Sequence, residues 1–320
     1  MKCIICDQES EFKKEFMVRG YEYIRCNKCG LVFLKNFFLD TEIMDFYKKE
    51  YAHNKKNTKR IKLNFNFLFK RINRILQKRD SLLEIGSGLG YFLKFCYDKG
   101  WKNCVGIEIS NSAVEYAKRF LGINLIQGNF DELFYTFPKQ HFNLIVMFHV
   151  LEHLISPDET LKKIRYILNS EGVLVITVPN YSSFVAKVLK EAWGWSSPPE
   201  HIYMFTPNAL IRLLNKTGFS ILDMYTQCGD AKNNLFELTK GTVKKLFRIN
   251  LIQRDEYERY NCFDKKAVRP RVYESLYLYR LFELMTDIID KMLFYPFEKL
   301  LDISLLQPEL VILAKINNKL

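Results

Sequence analysis

The residues of this chain best suited to chemistry begin with Glu84-Ile85-Gly86-Ser87-Gly88-Leu89-Gly90. Three glycines alternate with other residues directly after an apolar run, so the backbone can approach a ligand with no side chain in the way. The helix expected from Tyr91 adds free N–H groups at its start. Glu84, two residues before the first glycine, is placed to hold an ammonium group, directly or through water. Glu108 ends a second apolar run about twenty residues later, and an acid at that spacing accepts hydrogen bonds from ribose hydroxyls. Asn129 can bond an adenine edge, and Phe130 can cover its face. A dinucleotide fingerprint requires G-x-G-x-x-G and no acid inside the strand; here Tyr91 stands where its third glycine would be. The set suits a nucleoside with an amino-acid tail better than a pyrophosphate.

Those residues need elements that bring them to one edge. Leu82 to Ile85 reads as a buried parallel strand and Tyr91 to Lys99 as the helix after it. Cys104 to Ile109 is a second strand, and Ser110 caps a helix to about Phe120. Ile123 to Gln127 and Phe142 to Phe148 supply two more strands. Ser156-Pro157-Asp158-Glu159 reads as a capping box with proline in the first turn, and Gly172 to Val178 as a fifth strand closed by Pro179-Asn180. Strand and helix alternate throughout, the mark of an α/β fold on a doubly wound parallel sheet. In order and spacing, Leu82–Tyr91, Val105–Ser110, Gln127–Asp131, Phe142–His153 and Gly172–Asn180 resemble class I S-adenosylmethionine-dependent methyltransferases. The resemblance covers about residues 80–228 and the last strand, Glu309 to Ile316. It implies a Rossmann-like, seven-stranded, mostly parallel sheet. It also implies S-adenosylmethionine as cofactor, held by Glu84, Gly86, Gly88, Gly90, Glu108, Asn129, Phe130 and His149. Pro199-Glu200-His201-Ile202-Tyr203-Met204-Phe205-Thr206-Pro207 is similar to a segment of bacterial enzymes that methylate small metabolites, sugars and quinone precursors. The expected acceptor is a small molecule, such as a nucleotide- or lipid-linked sugar of a surface glycan.

A hydroxyl or acidic-carbon acceptor needs a base, and the chain has five histidines. His149 ends the fourth strand, where the resemblance puts the methionine end of the cofactor. His153 follows one helical turn on, so both can face one cleft. His201 belongs to the segment expected to cover the pocket. Each also has the plain reading of a structural histidine bonded to a backbone carbonyl, while His53 and His141 read as surface residues. Ubiquinone-pathway O-methyltransferases resemble this region and bear a metal-binding Glu-x-x-Glu-His. Here it is His149-x-x-Glu152-His153, whose first ligand type differs and suits a softer metal than magnesium. Glu152 and His153 are read as bracing the loop by hydrogen bonds, and no catalytic metal is expected. Trp193-Gly194-Trp195-Ser196-Ser197-Pro198-Pro199 reads equally as an acceptor-side lid and as plain packing.

Cys3-x-x-Cys6 and Cys26-x-x-Cys29 are nineteen residues apart, the spacing of two knuckles that share one tetrahedral zinc ion. Four protein ligands leave no open position, so the zinc ribbon expected over residues 1–40 is structural. Cys96, Cys104, Cys228 and Cys262 are scattered and read as buried, reduced thiols. No charged-then-apolar leader is present and no apolar run reaches the roughly eighteen residues of a spanning helix, so a cytoplasmic location is expected. With 320 residues, 48% of them hydrophobic, the chain has room for one α/β domain plus appendages.

The net charge is +12, and Lys48 to Arg79 holds twelve Lys or Arg against one Glu. Ile61, Phe65, Leu68, Phe69, Ile72, Ile75 and Leu76 recur there at helical spacing, so residues 41–80 form a basic amphipathic connector by expectation. Its cationic face has three readings: a solvated surface, attraction to an anionic substrate or acidic lipid heads, or nucleic acid. Nucleic acid ranks third, because the aromatics are phenylalanines at core spacing. The expected catalytic core is residues 81–228 and 308–320. Residues 229–307 are expected to be a helical insertion before the last strand. Its wide apolar face suits a cap, a homodimer surface or docking on the inner face of the membrane. The competing class is a zinc-ribbon RNA-binding protein or RNA methyltransferase. Base amino methylation would call for Asn-Pro-Pro-Tyr or Asp-Pro-Pro-Tyr after the fourth strand, where this chain has Phe148-His149-Val150-Leu151. A regulator without activity is disfavoured by the presence of Glu84, the glycines and Glu108.

Overall fold

The computed structural model describes residues 2–6, 11–35, 58–227 and 307–317, with side chains in the first described helix from residue 65 onward. The chain opens with β1 (Phe12–Val18), β2 (Tyr21–Cys26) and β3 (Val32–Leu34). Helix α1 (Thr58–Ile75) then leads into the alternation β4 (Ser81–Ile85), α2 (Tyr91–Asp98), β5 (Asn103–Glu108), α3 (Asn111–Tyr116). It continues with β6 (Ile126–Gln127), α4 (Phe130–Leu133), β7 (Phe142–Phe148), α5 (Pro157–Ile167) and β8 (Leu168–Pro179). Last come α6 (Phe184–Leu189), β9 (Tyr203–Met204), α7 (Pro207–Lys216), β10 (Phe219–Gln227) and β11 (Glu309–Ile316).

Seven strands make one sheet in the order β10-β11-β8-β7-β4-β5-β6. All described pairings from β8 to β6 are parallel, and β11 runs antiparallel to both of its neighbours. The expected α/β, doubly wound, mostly parallel sheet is therefore what the chain builds. Both faces are buried, as a parallel sheet needs, and the residues alternate between them. Leu83, Ile145, Leu174 and Ile312 face one layer, packed with α5 and α7. Leu82, Leu144, Val175 and Val311 face the other, against Phe92 and Leu93 of α2 and Leu68, Ile72 and Leu76 of the α1 segment. Arg71 of α1 lies over the Tyr225 ring, 4.2 Å from its centroid, and pairs with Asp223, which ties α1 to β10. Among the described residues no helix is long and apolar enough to cross a membrane.

The second sheet has the order β1-β2-β3-β9 and is antiparallel. Its fourth strand comes from the Pro199–Pro207 segment, far along the chain. Val32 pairs with Met204 and Phe33 with Tyr203. Ribbon residues Tyr23, Ile24, Leu31 and Phe33 share one continuous core with the large sheet. Polar links cross the same boundary. Tyr23 Oη donates to the His201 carbonyl at 2.6 Å, Lys216 Nζ to the Ile4 carbonyl at 2.5 Å, and Tyr181 Oη to Glu15 at 3.0 Å.

Local details differ from the sequence reading. Ser156 and Ser110 do precede α5 and α3, yet neither side chain makes a capping hydrogen bond. Glu159 pairs with Lys162 at 2.7 Å, and the Ser156 carbonyl accepts from the Thr160 N–H and hydroxyl. Ser110 has its N–H taken by Glu108 and its hydroxyl by Ser112. Helix α3 changes at Ala117 to a π turn that ends at Gly122, whose φ is +67°. The third expected strand is reduced to two exposed edge residues, while Leu125 turns into the core. Cys96 is buried and Cys104 half-buried, both free thiols. His53, Cys228, Cys262, residues 36–57 and the expected insertion up to residue 306 lie outside the described residues.

Candidate active site

The carboxyl edge of the sheet is shaped by the turn from β4 to α2. The Gly86 and Ser87 N–H groups both donate to the Ile107 carbonyl, at 2.9 and 3.0 Å, which ties the turn to β5. Gly86, Gly88 and Gly90 all have positive φ, at 70°, 52° and 78°, a region costly for other residues. At Gly86 a Cβ would also meet Val150 Cγ2 at 2.4 Å. Gly106 beneath the turn was not singled out by the sequence reading. A Cβ there would lie 2.3 Å from Leu93 Cδ1 and 2.5 Å from the Ser87 hydroxyl. Its only sequence signal was a glycine inside an otherwise apolar strand.

Two acids converge on this turn. Glu108 accepts from the Gly88 N–H at 2.7 Å and from the Ser110 N–H at 2.9 Å, so its carboxylate sits at the tip of the glycine loop. Glu84 is buried beneath, with Oε2 lacking any hydrogen-bond partner. Burial, reinforced by the charge of Glu108, pushes the Glu84 carboxyl well above the ordinary carboxylate range. The Gly128 N–H bonds the Glu108 carbonyl at 3.0 Å and brings Asn129 to the same edge. Asn129 caps α4, its Oδ1 accepting from the Asp131 N–H at 3.0 Å. Phe130 lies in the hydrophobic core, 4% exposed.

The three candidate histidines come together around Trp195. His149 ends β7 with a φ of +55° and stacks on Trp195 at 4.8 Å and 7°. His201 lies parallel to the same indole at 5.6 Å, and its edge meets His153 at 4.7 Å. Trp193, by contrast, packs in the core beside Tyr181. His149 Nδ1 is 3.4 Å from Glu152 Oε1, and its Nε2 is 3.3 Å from Glu309 Oε1. Burial alone would lower its pKa, but Glu309 and Glu152 outweigh that and raise it to about 10. Burial would raise the Glu152 carboxyl, but the adjacent His149 and the charge of His153 hold it below its usual value. His201 is pulled down to about 3, by burial first and by His153 next. Glu309 was legible only as the start of the last strand; its place beside His149 comes from sheet pairing. His141 is exposed and stands apart from the cluster.

The four N-terminal cysteines also converge. Their sulfurs all lie within 4.8 Å of one another, with Cys3–Cys29 at 3.5 Å and Cys6–Cys26 at 3.9 Å. These distances are far from a disulfide's ~2.05 Å. They are near the ~3.8 Å between sulfurs that a tetrahedral ion at ~2.3 Å would set. Gly30, with φ +77°, turns its N–H back to the Cys26 carbonyl at 2.9 Å and closes the second knuckle.

Comparison with known proteins agrees with this geometry. Residues 53–223 match the family model described as "Methyltransferase domain". A candidate S-adenosylmethionine-dependent methyltransferase of Mycolicibacterium smegmatis is 26% identical over 168 residues, which are 49% of this chain and 61% of that protein. The chain thus spans less than two thirds of the curated relative it matches. Among solved structures, a candidate sarcosine dimethylglycine methyltransferase from Galdieria sulphuraria superposes with a TM-score of 0.52 at 11% identity, over 86% of this chain and 98% of that one. A SAM-dependent methyltransferase from Archaeoglobus fulgidus reaches 0.46 at 19% identity, over 78% of this chain and 94% of that one. The family match covers more than half of the sequence and includes the glycine turn, both acids and the histidine cluster. The chain belongs to the methyltransferase-domain family.

Proposed function

We propose that the protein transfers a methyl group from S-adenosylmethionine to a small-molecule acceptor, most specifically a nucleotide- or lipid-linked sugar of a surface glycan. The observation that carries the cofactor reading is the Glu108 carboxylate at the tip of the glycine loop, 2.7 Å from the Gly88 N–H, with Glu84 buried below. Glu108 is assigned the ribose hydroxyls and Glu84 the ammonium of the amino-acid tail. Gly86, Gly88 and Gly90 provide the close backbone approach. Asn129 is assigned the adenine edge; Phe130 supports that turn from within the core. When bound, the cofactor supplies an already activated methyl carbon, so placement of the acceptor accounts for much of the acceleration.

Proton removal from a hydroxyl acceptor is assigned to the histidine cluster. His149 is its most open member, with 24% of its side chain exposed against 13% for His153. Glu309 and Glu152 hold a proton on it at neutral pH, so it can take up the acceptor's proton only after passing that one on. His201, neutral and buried, is cast as a positioning residue. Trp195, half-buried beside these rings, supplies the flat face suited to a sugar. The net charge of +12 favours an anionic acceptor such as a sugar nucleotide. The four-cysteine cluster is assigned one structural zinc ion.

Calorimetry with S-adenosylhomocysteine tests the core of this reading. Micromolar binding is expected in the wild type and should collapse in Gly88→Arg and in Glu108→Ala. Unchanged affinity in both variants would overturn it.

A further inference from the structure

Glu152 sits at the centre of the histidine cluster, fully buried, and neither carboxylate oxygen has a hydrogen-bond partner. The His149 ring, 3.4 Å from Oε1, offsets part of the cost of burying this carboxylate without making a hydrogen bond to it. Two further imidazoles face it. His153 Nδ1 is 2.7 Å from the Glu200 carbonyl and His201 Nδ1 is 2.6 Å from the Trp195 carbonyl. A carbonyl can only accept, so both Nδ1 atoms carry hydrogen, and in the neutral ring the lone pair then falls on Nε2. His153 Nε2 lies 3.9 Å from Glu152 Oε1. One ligand atom from each of Glu152, His153 and His201 lies within 4.8 Å of the others. Metal-binding histidines characteristically donate their second N–H to a carbonyl or carboxylate, which fixes tautomer and ring direction. Both rings here are fixed in that way.

From this geometry we propose that Glu152, His153 and His201 form a second, non-cysteine metal site, for one divalent cation of borderline softness such as zinc, cobalt(II) or iron(II). Two imidazoles and one carboxylate suit that class and leave a coordination position open. The ligand atoms would draw together by about 1 Å, to the ~3.3 Å separations around an ion with ~2.0–2.1 Å bonds. Sequence reading saw only Glu152 and His153 side by side. The third ligand arrives from the covering segment, whose Ile202 N–H bonds the Glu152 carbonyl at 2.9 Å and whose Tyr203 pairs with β3. A cation here would fasten that segment to the loop after β7. The site stands independently of the methyl-transfer reading, since it is tested by metal uptake alone.

The test is cobalt(II) titration of the full chain after the cysteine cluster has been filled with zinc and loose metal removed. One further equivalent of cobalt is expected, with ligand-field absorption and no thiolate-to-cobalt charge-transfer band. That equivalent should be lost in His201→Gln and in Glu152→Gln, and kept in His141→Gln, which alters an exposed histidine. Wild-type protein that still binds S-adenosylhomocysteine but takes up no cobalt would overturn the proposal. So would uptake with thiolate bands only, or uptake retained in His201→Gln. The wild-type arm decides even where a variant fails to fold.

Discussion

Glu84 is the residue where sequence and environment say different things. Its position before Gly86 is plain in the sequence, but its charge state is set by burial and by Glu108, which no local pattern records. With its pKa raised, Glu84 is protonated in the free protein over a pH window above the usual carboxylate range. An arriving ammonium favours the ionised form, so binding must release a proton. Affinity for S-adenosylhomocysteine is therefore expected to rise with pH through the free-state pKa and then level off. Calorimetry in two buffers of different ionisation enthalpy should show the release, and Glu84→Gln should abolish it. A buffer-independent enthalpy in the wild type would refute this. The glycines were legible because positive φ and close packing both restrict residue type. Glu309 was not, because its partner His149 lies about 160 residues away and only strand pairing joins them.

At the scale of elements, alternation of strands and helices was readable from hydrophobic periodicity, since the central parallel strands β4, β7 and β8 are buried on both faces. The two-residue β9 was not, because its partner β3 lies some 170 residues upstream and so short a pairing carries no pattern. The serines before α3 and α5 marked the helix starts correctly, but the Ser110 hydroxyl is taken locally by Ser112 and the Ser156 side chain makes no capping bond. Between ribbon and core, Glu15 is held by Arg25 through two hydrogen bonds of 2.6 and 2.7 Å and by Tyr181 at 3.0 Å. The hydrogen bond from Arg25, against an opposing burial effect, keeps its carboxyl below the usual value. The sign follows: a depressed acid stabilises the fold above its unfolded pKa, and that contribution fades as pH falls through the folded value. Glu15→Gln is expected to destabilise by about 1–3 kcal/mol at neutral pH. Urea denaturation should show the gap to wild type shrinking below about pH 4. A gap that persists in acid would assign the effect to packing instead.

At the scale of the whole molecule, the cysteine spacing announced a ribbon but could not show where it docks. Docking depends on Tyr23, Phe33 and Ile24 meeting the covering segment, surfaces that look like ordinary apolar residues until the fold is formed. Cys26→Ser is expected to reduce zinc from about one equivalent to none by elemental analysis. Because Tyr23 holds the His201 carbonyl and Leu34 donates to Ile202 at 3.0 Å, hydrogen exchange of the amides at 202–205 should accelerate in the same variant. Zinc loss with unchanged exchange would separate the ribbon from the segment it pairs with. The position of β11 between β10 and β8 bears on biosynthesis as well. Some eighty residues must leave the ribosome between Gln227 and Glu309, about 4–16 s at ordinary elongation rates. Throughout that delay the outer edge of β8 stays bare and His149 lacks one of its two carboxylates. A nascent chain stalled in this interval would be the form most exposed to chaperones and to edge-to-edge association.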